Sequence, residues 1–178
     1  MPQAVTHFLI PVILLELFRD FFVKDKKHFP AHYVFIGGLA GLLPDLDVAV
    51  YYILSFFGFT MQEVHRTFSH NLFVPLFFVI LSLIFYSFKN KKLGEHHLKL
   101  RNIFLVIAFG IFIHLLLDTL ISGGIKPFYP ISNFSIGLNL INIFPFSWRE
   151  SIIPSLDAIL LILWMIYLEV KHKISSFL

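Results

Sequence analysis

Five long apolar stretches, at roughly 4–23, 31–56, 71–88, 102–122 and 152–170, alternate with short joins rich in lysine or in turn residues. A helix of about 20 apolar residues crosses the ~30 Å hydrocarbon core of a bilayer. The pattern therefore predicts an all-α, polytopic membrane protein: one domain over 1–178, a compact bundle of about five transmembrane helices. No positive residue precedes the first stretch and no small-x-small site follows it, so it is expected to stay rather than to be removed as a signal peptide. Residues 123–151 are turn-rich (Gly123, Gly124, Pro127, Pro130, Pro145) yet aromatic, with Phe128, Tyr129, Phe134, Phe144, Phe146 and Trp148. That mixture predicts an interfacial outer loop with its rings at headgroup level.

Polar residues break this pattern at a few places. The densest is His65-Arg66-Thr67-Phe68-Ser69-His70, just before the third stretch. Pro44-Asp45-Leu46-Asp47 interrupts the second, His114-Leu115-Leu116-Leu117-Asp118 the fourth, and His7 and Asp157 stand alone in the first and fifth. An ionisable group within a membrane span is costly and usually marks function. Gly37-Gly38-Leu39-Ala40-Gly41 leads into Pro44. Small residues four apart let helices approach closely, and the proline frees a carbonyl and kinks the helix beside the aspartates.

Composition agrees with the bilayer. The 178 residues are 57% hydrophobic, include 23 Phe and have a mean hydropathy of +0.81. A soluble domain of this length has too much surface to hide so much apolar area. There is no cysteine, which excludes disulfides and thiolate ligands. The net charge of +3 gathers in joins instead of along a nucleic-acid-binding face: Lys24, Lys26 and Lys27; Lys89, Lys91, Lys92, Lys99 and Arg101; Lys171 and Lys173. By the positive-inside rule these joins are cytoplasmic, the N-terminus lies outside and the C-terminus inside. His7, His65, His70, His114, Asp118 and Asp157 then converge toward the outer leaflet. Asp45 stands about 16 Å along the helix from residue 56. His28, His32, His96, His97 and His172 fall on the other side.

His114 and Asp118, at i and i+4, share a helix face and either hold a metal or make an interhelical hydrogen bond. Asp45 and Asp47 are two apart, so one is expected to bind metal and the other to orient a histidine or cap a helix. His65 and His70, five apart, suit a loop entering the third stretch. Arg66 between them is either a clamp for a phosphate oxygen or an ordinary interfacial arginine. Asp157 needs a partner, and Glu16 and Arg19, three apart, are expected to pair. Imidazoles and carboxylates without sulfur suit Zn²⁺, Mn²⁺ or Fe²⁺, and two ions about 3.5–4 Å apart would activate water for an in-line displacement.

The ordered set Thr6-His7, Pro44-Asp45-Leu46-Asp47, His65 to His70 and His114 to Asp118 resembles the YdjM/DUF457 family of predicted membrane-bound metal-dependent hydrolases. Its order of His, Asp, His, then His-x-x-x-Asp is also similar to zinc-dependent phospholipase C and the P1-type nucleases. The resemblance implies that His114 is a ligand, that Asp118 bridges metals, that Asp45 is a ligand or base, and that His7 and His65 complete the site. Those soluble enzymes carry a further late histidine pair, whereas here only His172 follows His114. The family's ending also differs at Ser69-His70.

The expected function is a membrane metallohydrolase facing the extracytoplasmic side. It would use one or two ions, most simply zinc, to cleave a phosphoester of a lipid or lipid-linked substrate. Asp45, Asp47 and Arg66 would be catalytic, and His7, Asp45, His65, His70, His114 and Asp118 would be metal ligands. Membrane lipid is the expected partner and nucleic acid is not. Two rivals remain. A di-iron lipid desaturase or hydroxylase would use His65 to His70 as a histidine box, and a metal or proton transporter would string its ligands along a path.

Overall fold

The computed structural model describes residues 4–65, 67–88, 91–121 and 123–174, apart from the side chains of 62, 63, 91 and 92. Arg66 lies outside the described residues. Eight α-helices follow one another among the described residues: α1 (Ala4–Phe21), α2 (Ala31–Ala40), α3 (Asp47–Leu54), α4 (Met61–Val64), α5 (Phe73–Ile84), α6 (Lys91–Glu95), α7 (Leu100–Ile121) and α8 (Phe146–His172). An isolated bridge, Ile125 to Ile136, pins the 123–145 loop.

Two of these helices, α7 and α8, are long and apolar enough to cross a membrane, and a third span results if α2 and α3 count as one bent helix. The expected five segments are thus helical but unequal. In α1, Glu16, Arg19 and Asp20 crowd the last turns. The third stretch starts late because Asn71 Oδ1 accepts from the Phe73 and Val74 N–H groups at 2.9 and 3.3 Å, marking the helix start. Its 12 residues rise only about 18 Å.

The second stretch breaks where its glycines and proline predict. After Ala40 the chain tightens: Leu42 N bonds to Leu39 O at 3.0 Å, Leu43 N to Ala40 O at 3.1 Å and Leu46 N to Leu43 O at 3.1 Å. Pro44 has no N–H to continue the ladder. The axis turns by 46° before α3.

The core lies between α1, α2 and α7. Val12, Leu15, Tyr33, Val34 and Val106 are buried there, with Phe8, Ile36, Phe109 and Trp164 around them. Tyr33 is fully buried, and its hydroxyl accepts the Lys99 N–H at 2.6 Å, so the start of α7 is tied to α2. Glycine sets the spacing. A Cβ on Gly110 would run into Gly37 O and stand 2.8 Å from Ala40 Cβ, and one on Gly41 would run into His7 O.

Gly110→Ala is therefore expected to destabilise the bundle. Alanine improves helix propensity by about 1 kcal/mol. Overpacking against a backbone carbonyl costs about 1–3 kcal/mol, because that carbonyl cannot swing aside. The clash wins, and the unfolding temperature in detergent should fall. An unchanged value would mean that α2 and α7 can part without loss.

The longest helix, α8, buries little: Ile162, Leu163 and Ile166 are 54–58% exposed, as side chains against lipid would be. Polar contacts hold it along α1. Thr6 Oγ1 donates to Asp157 Oδ1, Trp164 Nε1 to Glu16 Oε2 at 3.2 Å and Tyr167 Oη to Asp20 Oδ2 at 2.8 Å. Asp157 thus has its partner in Thr6. Arg19 does not pair with Glu16 as its spacing suggested; its Nε donates to Phe29 O at 3.1 Å and its guanidinium stands 3.6 Å from Asp20.

Candidate metal centre

Four elements bring side chains to one end of the bundle. The first turns of α1 bring His7, the α2–α3 break brings Asp45 and Asp47, the loop after α4 brings His65 and His70, and the second half of α7 brings His114 and Asp118. Burial there is severe. His7, His70, His114 and Asp118 are 0–1% exposed, and Asp47 is also buried. Asp45, at 29%, is the most open of the set.

Four donor atoms lie close together. His70 Nε2 and His114 Nε2 are 3.1 Å apart. His70 Nε2 is 3.5 Å from both Asp45 Oδ1 and Asp118 Oδ2. His114 Nε2 is 3.6 Å from Asp45 Oδ1 and 3.8 Å from Asp118 Oδ2. Ligands about 2.1 Å from a tetrahedral ion stand about 3.4 Å from one another. The five separations have the dimensions of such a cage.

Proton positions strengthen the fit. His114 Nδ1 lies 2.7 Å from Gly41 O, and a carbonyl can only accept, so Nδ1 carries the hydrogen and Nε2 presents its lone pair. Ser69 Oγ donates its single proton to Asp47 Oδ2 at 2.7 Å, so toward His70 Nδ1 at 2.9 Å it can only accept. Asp47 Oδ2, at 3.2 Å from the same nitrogen, pulls the same way. His70 therefore also turns a bare Nε2 inward. Two imidazole lone pairs at 3.1 Å, with two carboxylates beside them, repel unless a cation, proton or metal ion, stands among them.

Asp47 has a different place. Its Oδ1 accepts from His65 Nδ1 at 2.7 Å while its Oδ2 faces Ser69 and His70, so one carboxylate orients two imidazoles. His65 Nε2 is buried with no hydrogen-bond partner among the described residues. His7 stacks on His114, ring centroids 3.8 Å apart, and its Nε2 is 3.5 Å from Asp118 Oδ1, on the other carboxylate oxygen from the one that faces the cage. Asp118 thus offers one oxygen to each side.

The expected ligands His7, Asp45, His65, His70, His114 and Asp118 all meet here, in three overlapping groups whose ligand atoms lie within 4.8 Å of one another. Asp157 stays with Thr6, outside these groups. Sequence reasoning gave no role to the Gly41 carbonyl or the Ser69 hydroxyl. The HRTFSH run contained the serine, but only the fold turns it between Asp47 and His70. His96 and His97 follow α6 at the end of the bundle where α7 begins, so they do not join the His65–His70 loop as a desaturase would need.

The 123–145 loop lies against the same end. Pro127 O accepts the Leu72 N–H at 2.9 Å, Thr119 O accepts the Leu138 N–H at 2.7 Å, and the Tyr129 ring meets Phe68 edge-on at 5.2 Å. Phe134, Phe146 and Trp148 stand exposed, 59–81%.

No curated protein and no solved structure matches the chain. Residues 1–174 match the family described as YdjM inner membrane protein, and the chain belongs to that family.

Proposed function

We propose that this protein is a membrane-embedded, metal-dependent hydrolase that cleaves a phosphoester of a lipid or lipid-linked substrate. The observation that carries the proposal is the cage of His70 Nε2, His114 Nε2, Asp45 Oδ1 and Asp118 Oδ2, with separations of 3.1–3.8 Å. All-nitrogen-and-oxygen donors suit Zn²⁺ first, then Mn²⁺ or Fe²⁺. His7 and Asp118 Oδ1 would hold a second ion. A divalent ion would supply Lewis acidity at a phosphoryl oxygen and a lowered pKa for water.

The chain's own groups divide the remaining work. Asp45, the open member, accepts the proton of the attacking water. Asp47 and Ser69 keep the two imidazoles turned inward. Arg66 clamps the phosphate. Exposed rings on the adjoining loops, Phe68 at 67% and Phe128 at 46%, offer a surface for acyl chains. In the finer reading, all five apolar segments lie in the inner membrane, the lysine-rich joins face the cytoplasm and the site faces the extracytoplasmic leaflet.

The test is elemental analysis of protein purified without added metal, followed by hydrolysis of a panel of lipid phosphomonoesters and phosphodiesters. One or two ions per chain and turnover of at least one class are expected. Protein that holds no metal and cleaves nothing ends the proposal. Within it, Asp47→Ala should weaken metal binding about 10–100-fold, the usual effect of losing a group that orients a ligand. A chelator-competition titration reads this directly; an unchanged affinity would remove Asp47 from the centre.

A further inference from the structure

The other end of the bundle holds a cavity of about 730 Å³ between the 25–28 loop, the end of α5 and the start of α7. Among the described residues, Lys27, Lys99 and Arg101 line it, against the carboxylate of Asp25. That carboxylate is engaged in its own loop: Oδ1 accepts the Lys27 N–H at 3.0 Å and Oδ2 stands 3.2 Å from His28 Nδ1. With histidines neutral, the described lining residues carry a net charge of +2.

Arg101 is set up to hold two oxygens of an oxyanion. Its guanidinium lies 4.4 Å from the centroid of the Tyr86 ring, which holds the fork flat. Its Nε is buried and has no hydrogen-bond partner among the described residues. Lys99 immediately precedes α7 and Arg101 lies in its first turn, which contains no acidic residue. The helix dipole is positive there, so two cations at that position oppose it until an anion joins them. The volume lies within the usual range for small-ligand sites.

We propose that this cavity binds a phosphate-bearing anion, with Arg101 as a bidentate donor and Lys27 and Lys99 as neutralising charges. It is a separate site from the metal cluster. Arg101 and His114 are 13 residues apart on α7, about 20 Å along its axis, so one phosphate cannot touch both. The proposal stands whether or not the cluster hydrolyses anything. The anion is either the headgroup of an anionic lipid or a soluble phosphate ester.

Native mass spectrometry of the intact chain in detergent separates these sources. The probes are phosphatidylglycerol, phosphatidylcholine with the same acyl chains, and soluble glycerol 3-phosphate. Preferential retention of phosphatidylglycerol, with little glycerol 3-phosphate bound, identifies a lipid headgroup. Tight binding of glycerol 3-phosphate that displaces the lipid supports the same site with a soluble ligand. In either case Lys27→Gln and Lys99→Gln should each weaken binding about fivefold, the usual effect of one basic side chain near an anionic headgroup. Arg101→Lys should weaken it as well, because the fork is lost while the charge stays. Both lysines are exposed, so their variants should fold even if Arg101→Lys does not. The proposal is overturned if neither anion binds better than phosphatidylcholine, or if both lysine variants bind like the wild type.

Discussion

Asp118→Asn should leave a folded protein that no longer responds to metal and no longer hydrolyses substrate. Asp118 is 1% exposed, and its two oxygens face His70 and His114 on one side and His7 on the other. Asparagine keeps the shape, so packing is preserved. What changes is that both Asp118 oxygens face imidazole nitrogens, whereas asparagine keeps only one oxygen and puts an NH2, which cannot hold a cation, in place of the other. Four-ligand zinc sites bind with about 10–16 kcal/mol, which is roughly 3 kcal/mol per ligand, or about 10²-fold in affinity. At a metal concentration 100 times the wild-type dissociation constant, the ion stabilises the wild type by about 2.7 kcal/mol. A 10²-fold weaker site gains only about 0.4 kcal/mol at that concentration. Thermal unfolding in detergent, with and without added Zn²⁺, should show a large metal-dependent shift in the wild type and almost none in Asp118→Asn. A merely structural hydrogen bond behaves differently: the variant would then unfold earlier at every metal concentration, by a constant amount. That pattern would remove Asp118 from the cage.

Much of this centre was legible in the chain because ionisable groups inside apolar stretches are rare enough to stand out. His114 and Asp118 needed only the helical period to share a face, and Asp45 and Asp47 needed only their spacing to be assigned different directions. The split between these two could not be assigned further. Which one faces the cage depends on a break that spreads over Gly41 to Leu46, and period counting fails in such a turn. Pro44 announced a released carbonyl but not its use. The fold gives Gly41 O to His114 Nδ1, a contact between residues 73 apart in sequence. Ser69 is similar: a serine beside a histidine is unremarkable until Asp47 arrives from 22 residues away. Helix lengths were legible only in part. The apolar run begins before the start that Asn71 imposes on α5 and extends beyond its end at Ile84, and hydropathy does not register how Glu16 and Asp20 in α1 find partners on α8.

Asp45→Asn tests the chemistry itself, and should separate turnover from metal binding. Asp45 places Oδ1 3.5 and 3.6 Å from the two cage nitrogens, yet it is 29% exposed where His70, His114 and Asp118 are at most 1%. A carboxyl group at the open edge of an otherwise closed cage can be reached by water and substrate, and it is the cage member placed to exchange a proton with them. Asparagine still offers a carbonyl oxygen to the ion but cannot accept a proton. A positioned general base contributes typically 10²–10⁴-fold. Turnover at saturating metal should therefore fall about 10²–10⁴-fold, while elemental analysis still finds metal in the variant. The comparison with Asp118→Asn matters here, because that buried variant should lose metal and turnover together. If Asp45→Asn also loses its metal, Asp45 acts chiefly as a ligand and the proton acceptor lies elsewhere. If it keeps both metal and full turnover, the open edge of the cage takes no part in the reaction.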